Sequence, residues 1–339
     1  LFTFLNFNLM RSLFLLDINV TYELGPTHVI VFLGLVAFIL FKLRDKRLKK
    51  SKIELERIVE ERTAALKHKE QEITDSIRYA LRIQLSIIPT QQRVKSLLPK
   101  SMVYYKPKDI VSGDFYWIES IGDEVLFSAV DCTGHGVPGA MMSVIGLKSL
   151  TQAVQDKQLS KPADVLQFLD VAVNDTLRQS YDPGAVKDGM DLALCNINYK
   201  TLTLQYAGAF NPLVLVRKNI ANTYQVTNTR ETFYGNDLLE IKSDKCPIGS
   251  NQDGVADIFT NHTIQLQKDD CIFIYTDGYA DQFGGPKGKK FKYNKLKDVL
   301  IENAHLPMDD QYNALDKSFN AWRGKQEQVD DVLVIGVKI

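Results

Sequence analysis

From Leu43 to Ile88 the sequence contains neither Gly nor Pro and is built mostly from Glu, Lys, Arg, Leu and Ala. Such residues lose little freedom in a helix and nothing here interrupts its hydrogen-bond ladder, so one continuous helix is predicted, stopped by Pro89. A rod of that kind cannot bury its own surface, and the chain must divide into a helical linker over 44–95 and a globular remainder. Val59, Leu66, Ile73, Ala80 and Ile87 recur every seven residues and supply one seam of a heptad, while the partner seam holds Glu56, Thr63 and Glu70 before Ile77 restores an apolar choice. The linker therefore reads either as an imperfect coiled coil that joins two copies of the chain in a homodimer, or as a solvated spacer. A second stripe, Ile77, Leu81, Leu85 and Ile88, predicts packing against the domain that follows.

Upstream of the rod, Val29 to Phe41 is an uncharged apolar run that gives way to Lys42, Arg44, Lys46, Arg47, Lys49, Lys50 and Lys52. As helix, Pro26 to Leu43 extends roughly 27 Å at 1.5 Å per residue, close to a bilayer core of about 30 Å once Lys42 and Arg44 snorkel. One-sided basic charge predicts a transmembrane helix at 27–43 within an apolar region 1–43, its basic flank in the cytoplasm. The expected location is the inner (cytoplasmic) membrane, with the globular part in the cytoplasm. A buried core helix or a signal-like segment is the alternative. Leu1 to Leu16 is a weaker second span, interrupted by Asn6 and Arg11.

Past Pro99 the texture changes to short β-rich runs. Met102 to Lys106, Phe115 to Ser120, Val125 to Val130, Leu192 to Tyr199, Leu202 to Ala207, Leu213 to Arg217, Ile272 to Tyr275 and Val332 to Lys338 read as strands. Pro138 to Gln155, Pro162 to Gln179, Tyr293 to Asn303 and Met308 to Trp322 read as helices. Strands grouped around helical pairs, rather than alternating with single helices, predict an α+β sandwich over 96–339. Lys plus Arg is 41 and Asp plus Glu is 41, so the formal charge of zero argues against a nucleic-acid partner. Cys132, Cys195, Cys246 and Cys271 lack Cys-x-x-Cys spacing and indicate neither a zinc knuckle nor a dense disulfide framework.

Four acids stand where apolar runs end. They are Asp114 in Ser112-Gly113-Asp114-Phe115-Tyr116, Asp131 in Asp131-Cys132-Thr133-Gly134-His135-Gly136, Asp277 in Tyr275-Thr276-Asp277-Gly278, and Asp330 in Asp330-Asp331-Val332. Burying an unpaired carboxylate costs several kcal/mol, so acids of this kind are paired, hydrogen-bonded or bound to a metal. Oxygen ligands suit hard cations such as magnesium or manganese, and an acid shared by two ions sets a binuclear site that can activate water and clamp a phosphoryl oxygen. Any one of the four, taken alone, reads first as a turn or cap residue.

In this order and spacing the four strings resemble the signature motifs of the metal-dependent serine/threonine protein phosphatases (PPM, or 2C-type), in particular their SpoIIE/RsbU branch, from about Lys100 to Ile339. The resemblance implies a PPM-type β-sandwich flanked by helices, with two Mn2+ or Mg2+ ions in a cleft at one edge. It implies that Asp131 bridges both ions, that the carbonyl of Cys132 completes one shell, and that Asp277 and Asp330 hold the second ion. Asp114 would sit in the first ion's ligand or water shell, with Asp331 a weaker candidate. The implied reaction is hydrolysis of phosphoserine or phosphothreonine in a partner protein, and the branch suggests small regulators such as STAS-type, anti-anti-sigma-like domains. Ser112 stands where the branch usually has Gly, Trp117 where an acid is frequent, and Cys132 replaces a common Gly.

Asp131, Asp114 and His135 are the catalytic candidates. His135 reads as a general acid for the leaving seryl oxygen or as a residue that hydrogen-bonds the loop presenting Asp131. Cys132 with His135 also admits a thiol–imidazole pair, a different mechanism altogether. The basic, Gly-rich stretch Phe283 to Lys292 has no P-loop frame and reads as a substrate-docking flap or a solvated loop, and Asp188-Gly189-Met190-Asp191 reads as a turn leading into a strand. The competing function class is a noncatalytic signalling module that keeps the fold and transmits stalk rearrangement by binding alone.

Overall fold

The computed structural model describes residues 25–177, 188–249 and 257–339. The expected second span at Leu1 to Leu16 and the end of the helix expected to reach Gln179 lie outside the described residues. The apolar run and the Gly- and Pro-free stretch form one helix, α1 (Pro26–Ile87). Pro26 occupies its first position, where a missing N–H costs no hydrogen bond, and the helix stops ahead of Pro89. Among the described residues α1 is the helix long and apolar enough to cross a membrane, by length and composition, with a mean hydropathy of 2.1 over its best window.

The chain divides into two units, one ending at Glu72 and the other running from Ile73 to Ile339. In the first unit the heptad residues Val59 and Leu66 are 55% and 70% exposed. In the second, one face of α1 turns inward: Ile77 and Leu81 are half-buried, and Gln84 and the following Ile88 are buried. Leu85, expected on that face, is 56% exposed instead. Helical phase explains the correction, because at about 100° per residue Leu85 points about 80° away from Ile77 while Gln84 returns to within about 20° of it.

The rest of the second unit runs through α2 (Gln91–Leu97), β1 (Ser101–Lys106), β2 (Phe115–Ile121), β3 (Glu124–Cys132), α3 (Gly136–Thr151) with a π-helical turn Gln152–Asp156, α4 (Pro162–Leu177), β4 (Met190–Asn198), β5 (Thr203–Ala209) and β6 (Leu213–Val216). It continues through α5 (Ile220–Thr223), β7 (Glu231–Tyr234), β8 (Leu238–Ile241), β9 (His262–Gln265), β10 (Cys271–Tyr275), α6 (Gly278–Asp281), β11 (Phe283–Gly284), β12 (Lys289–Lys290), α7 (Tyr293–Asn303), α8 (Met308–Arg323) and β13 (Val332–Lys338). Each expected strand is present, Val332 to Lys338 with both ends as expected and the others with one or both ends shifted. β7, β8 and β9, four residues each, were not expected. The helix expected from Pro138 begins at Gly136.

Two antiparallel sheets form the sandwich, one in the order β1-β13-β10-β6-β8-β7 and the other β2-β3-β4-β5-β9. Alternation sorts the residues of the six-stranded sheet between two cores, while the five-stranded sheet packs into the larger one. Ile272 and Ile274 of β10 join Leu126, Leu192 and Leu213 in the larger cluster, which also takes in Leu150 of α3 and Leu166 of α4. Phe273 and Tyr275, on the opposite face, pack with Leu296 of α7 and Phe319 of α8. Helices thus cover each sheet on its outer face, which makes this an α+β, PPM-like fold.

Candidate metal centre

Strand ends deliver the acids. Asp114 immediately precedes β2 and Asp131 lies next to last in β3, and because Phe115 pairs with Val130 both stand at the same end of their sheet. Asp277 follows β10 and Asp330 stands just ahead of β13, whose Val334 pairs with Tyr275, so these two also share an end. One hydrogen bond closes the sheets together there: Thr276 Oγ1 donates to Asp114 Oδ2 at 2.7 Å. Two glycines permit the close approach. A Cβ on Gly113 would lie 2.5 Å from the carbonyl oxygen of Gly134, and one on Gly278 would overlap the carbonyl oxygen of Asp331.

Asp114 is held from several sides. It is buried, its carbonyl accepts from Tyr105 Oη at 3.0 Å, and the N–H of Gly113 donates to Asp331 Oδ2 at 2.8 Å. Burial, and then the charge of Asp131, push its carboxyl well above the usual range, against the opposing hydrogen bond from Thr276. Asp131 is likewise raised by burial and by the charges of Asp277, Asp330 and Asp191, with a smaller opposing effect from Asp114. Asp277 is pushed up to about 6 by burial and Asp330, and Asp330 is raised chiefly by burial.

These are like charges gathered at one place. Among the described residues, no group of three or more His, Cys, Asp or Glu side chains stands ready to hold a metal ion. The donor chemistry nevertheless fits a divalent cation: an all-oxygen set whose members oppose one another's ionisation is what a hard cation relieves. Asp330 and Asp331 differ in this respect. Asp331 is buried and accepts from the N–H of Lys108 at 2.7 Å and of Gly113 at 2.8 Å, so both its oxygens are taken up by backbone, whereas Asp330 Oδ1 accepts only from the neighbouring Asp331 N–H among the described hydrogen bonds.

His135 caps the start of α3 without a side-chain cap bond, and its Nδ1 lies 2.7 Å from Asp109 Oδ2. Cys132 is buried, and burial together with the charge of Asp131 raises its thiol well above the usual range. A buried, protonated thiol is a poor nucleophile, and among the described hydrogen bonds none joins Cys132 to His135, so the thiol–imidazole alternative lacks its pair. Cys132 keeps an ordinary negative φ, and its replacement of Gly leaves the carbonyl in place.

The sequence pattern of Stage II sporulation protein E (SpoIIE) matches residues 122–339, well over half the chain. The chain belongs to the SpoIIE family. No curated protein matches it. Among solved structures, the PP2C domain of SiaA from Pseudomonas aeruginosa is similar at 27% identity and TM-score 0.67, covering 80% of this chain and 98% of that one. The RsbU and RsbW domains of a Mycobacterium tuberculosis protein (18% identity, TM-score 0.51, 71% of this chain and 60% of that one) share the fold. So does the PP2C phosphatase domain of SpoIIE from Bacillus subtilis with a fragment of its regulatory domain (16%, 0.51, 71% and 63%). The SpoIIE/RsbU branch of the PPM phosphatases is thus the one its motifs resemble, and that family generally uses divalent metal ions.

Within the SpoIIE fold, sequence reasoning missed one acid. Asp191, second in β4, stands directly opposite Asp131 and is pushed up to about 6 by burial and by Asp277. The signal was available, since an acid at the edge of the apolar run Leu192 to Ile197 is the same pattern that flagged Asp131. Trp117 is a packing residue, buried and donating Nε1 to Thr151 Oγ1 at 3.1 Å. The stretch Phe283 to Lys292 forms the β11–β12 hairpin, anchored by Gly285 N–H to Trp322 O at 2.7 Å and by Lys290 to Asp281 at 2.7 Å.

Proposed function

We propose that this chain is a metal-dependent protein serine/threonine phosphatase that hydrolyses phosphoserine or phosphothreonine in a regulatory protein. The observation that carries the reading is the convergence of Asp114, Asp131, Asp277 and Asp330, from four separate segments, on one end of the sandwich with proton affinities raised by burial and by each other. Asp131 with the Cys132 carbonyl and Asp114 would hold one Mn2+ or Mg2+ ion, and Asp277 and Asp330 the second, with Asp131 common to both. When bound, such a pair supplies the charge that makes a water nucleophilic near neutral pH and neutralises phosphoryl oxygens. His135, with Nδ1 on Asp109, keeps Nε2 to carry the proton for the leaving seryl or threonyl oxygen.

The domain plan that goes with this is an apolar region 1–43 carrying the membrane span, a linker 44–95 and a phosphatase domain 96–339. The exposed apolar run of α1 and its basic flank support an inner-membrane anchor with the phosphatase domain in the cytoplasm, and the exposed Val59 and Leu66 support a homodimer through the stalk, whose packing would regulate the site. STAS-type, anti-anti-sigma-like regulators are the substrate class we favour, by analogy with the branch. The test is manganese-dependent release of phosphate from a phosphoserine protein. An inert wild-type chain, no better than Asp131→Asn, would leave only a binding module, and activity that persists in a chelator would point to a metal-free hydrolase.

A further inference from the structure

The sequence gives α1 the role of a tether, but its last turns reach into the cradle through a single amide. Gln84 is the helix's one buried residue among those described. Its Nε2 donates to the carbonyl of Ser112 at 2.6 Å and to Ser143 Oγ at 2.9 Å, and its Oε1 accepts from the N–H of Ser112 at 3.2 Å. The carboxamide therefore pairs with both backbone groups of Ser112, as a neighbouring strand would, and at the same time grips α3. Ser112 stands two residues ahead of Asp114, and α3 begins at the end of the turn that leaves Asp131 and Cys132. No other side chain with described hydrogen bonds joins these two halves of the cradle to α1.

Rigid placement matters here because the acids repel one another. Asp114 and Asp131 hold their positions against that repulsion only through their supports, and residues that orient ligands from behind are typically worth about 10–100-fold in metal affinity. We infer that Gln84 is a positioning residue that sets the separation of the Ser112–Asp114 segment from the Asp131 loop, and so tunes divalent-cation affinity from within the linker helix. The inference rests on the ion-binding reading above. Gln84 is buried among apolar helical neighbours, and an apolar side chain there would leave both backbone groups of Ser112 without this partner.

The experiment is calorimetric titration of the full chain with Mn2+, alongside hydrogen exchange of the Ser112 amide. Gln84→Met keeps the volume and removes all three bonds; it should weaken Mn2+ binding about tenfold or more and speed exchange at Ser112, with the rate at saturating Mn2+ much less affected. Ser143→Ala, which removes one of Gln84's three bonds and Ser143's own bond to the Ala140 carbonyl, should act in the same direction and less, and it serves if Gln84→Met fails to fold. Gln311→Met is the control for a merely structural amide, since Gln311 is buried, donates to the carbonyl of Leu306 at 2.9 Å and touches no residue of the cradle; it should lower Tm and leave Mn2+ affinity alone. Unchanged Mn2+ affinity in both Gln84→Met and Ser143→Ala, with wild type binding normally, overturns this inference alone. Wild type that binds no Mn2+ overturns the metal centre and this inference with it.

Discussion

The two sheets present their acids in different electrostatic company. On the five-stranded sheet Asp114 and Asp131 sit at strand ends, raised chiefly by burial and by neighbouring carboxylates. On the six-stranded sheet Asp277 is eased by Lys290, and Asp330 by Lys108 and His135. The difference teaches a division of labour. On the proposed reading, the strand-end pair would depend most on a bound ion, whereas the turn-borne pair has positive charge of the protein's own beside it.

The widest break in that comparison comes from the centre. Asp131→Asn should lower Mn2+-dependent phosphatase activity roughly a thousandfold or more, the several kcal/mol that metal clamping contributes, measured as kcat/KM on a phosphoserine protein. A loss smaller than tenfold would remove Asp131 from the bridging position. Next in size, His135→Ala should cut kcat by about a hundredfold, the usual share of a general acid, while calorimetry finds Mn2+ affinity little changed. If affinity falls in step with rate, His135 supports the ion loop instead and the general-acid role is lost.

A smaller effect separates the adjacent acids. Asp331→Ala strands the N–H groups of Lys108 and Gly113 and should destabilise the ion-free protein by about 1–3 kcal/mol, while Asp330→Ala should weaken Mn2+ binding and leave the ion-free Tm near wild type. Reversed results would exchange their roles and make Asp331 the ligand. Both oxygens of Asp331 on backbone donors is the observation at stake.

The sequence made the sandwich legible because its long strands are near-continuous apolar runs, and the four acids legible because each ends such a run. The mixed strands β7 (Glu231-Thr232-Phe233-Tyr234) and β9 (His262-Thr263-Ile264-Gln265) were not, because they lack the apolar run that marked the equally short β6. Neither was the pairing of Asp191 with Asp131, which depends on register between strands separated by two helices. At the helix end the apolar stripe pointed to Leu85, and helical phase chose Gln84, a polar residue that no hydrophobic pattern can nominate. The partner of His135 was hidden for the same reason, since Asp109 comes from the loop after β1 and meets it only through the fold.

The smallest effect tests the electrostatic contrast itself. In a chelator the acids pay for their proximity with no cation to offset it, so removing one charge should stabilise the fold, and more so for the strand-end pair. Asp131→Asn should therefore raise the ion-free Tm at pH 7 by roughly 2–4 °C, about 1 kcal/mol for a domain of this size, and Asp330→Asn by less, because Lys108 already offsets part of its charge. Saturating Mn2+ should reverse the order, since wild type then gains a ligand-linked rise in Tm that Asp131→Asn cannot match. Scanning calorimetry of the three proteins with and without Mn2+ decides it: an ion-free Asp131→Asn less stable than wild type would mean that its hydrogen bonds outweigh the repulsion, and the two sheets would then differ in geometry but not in charge.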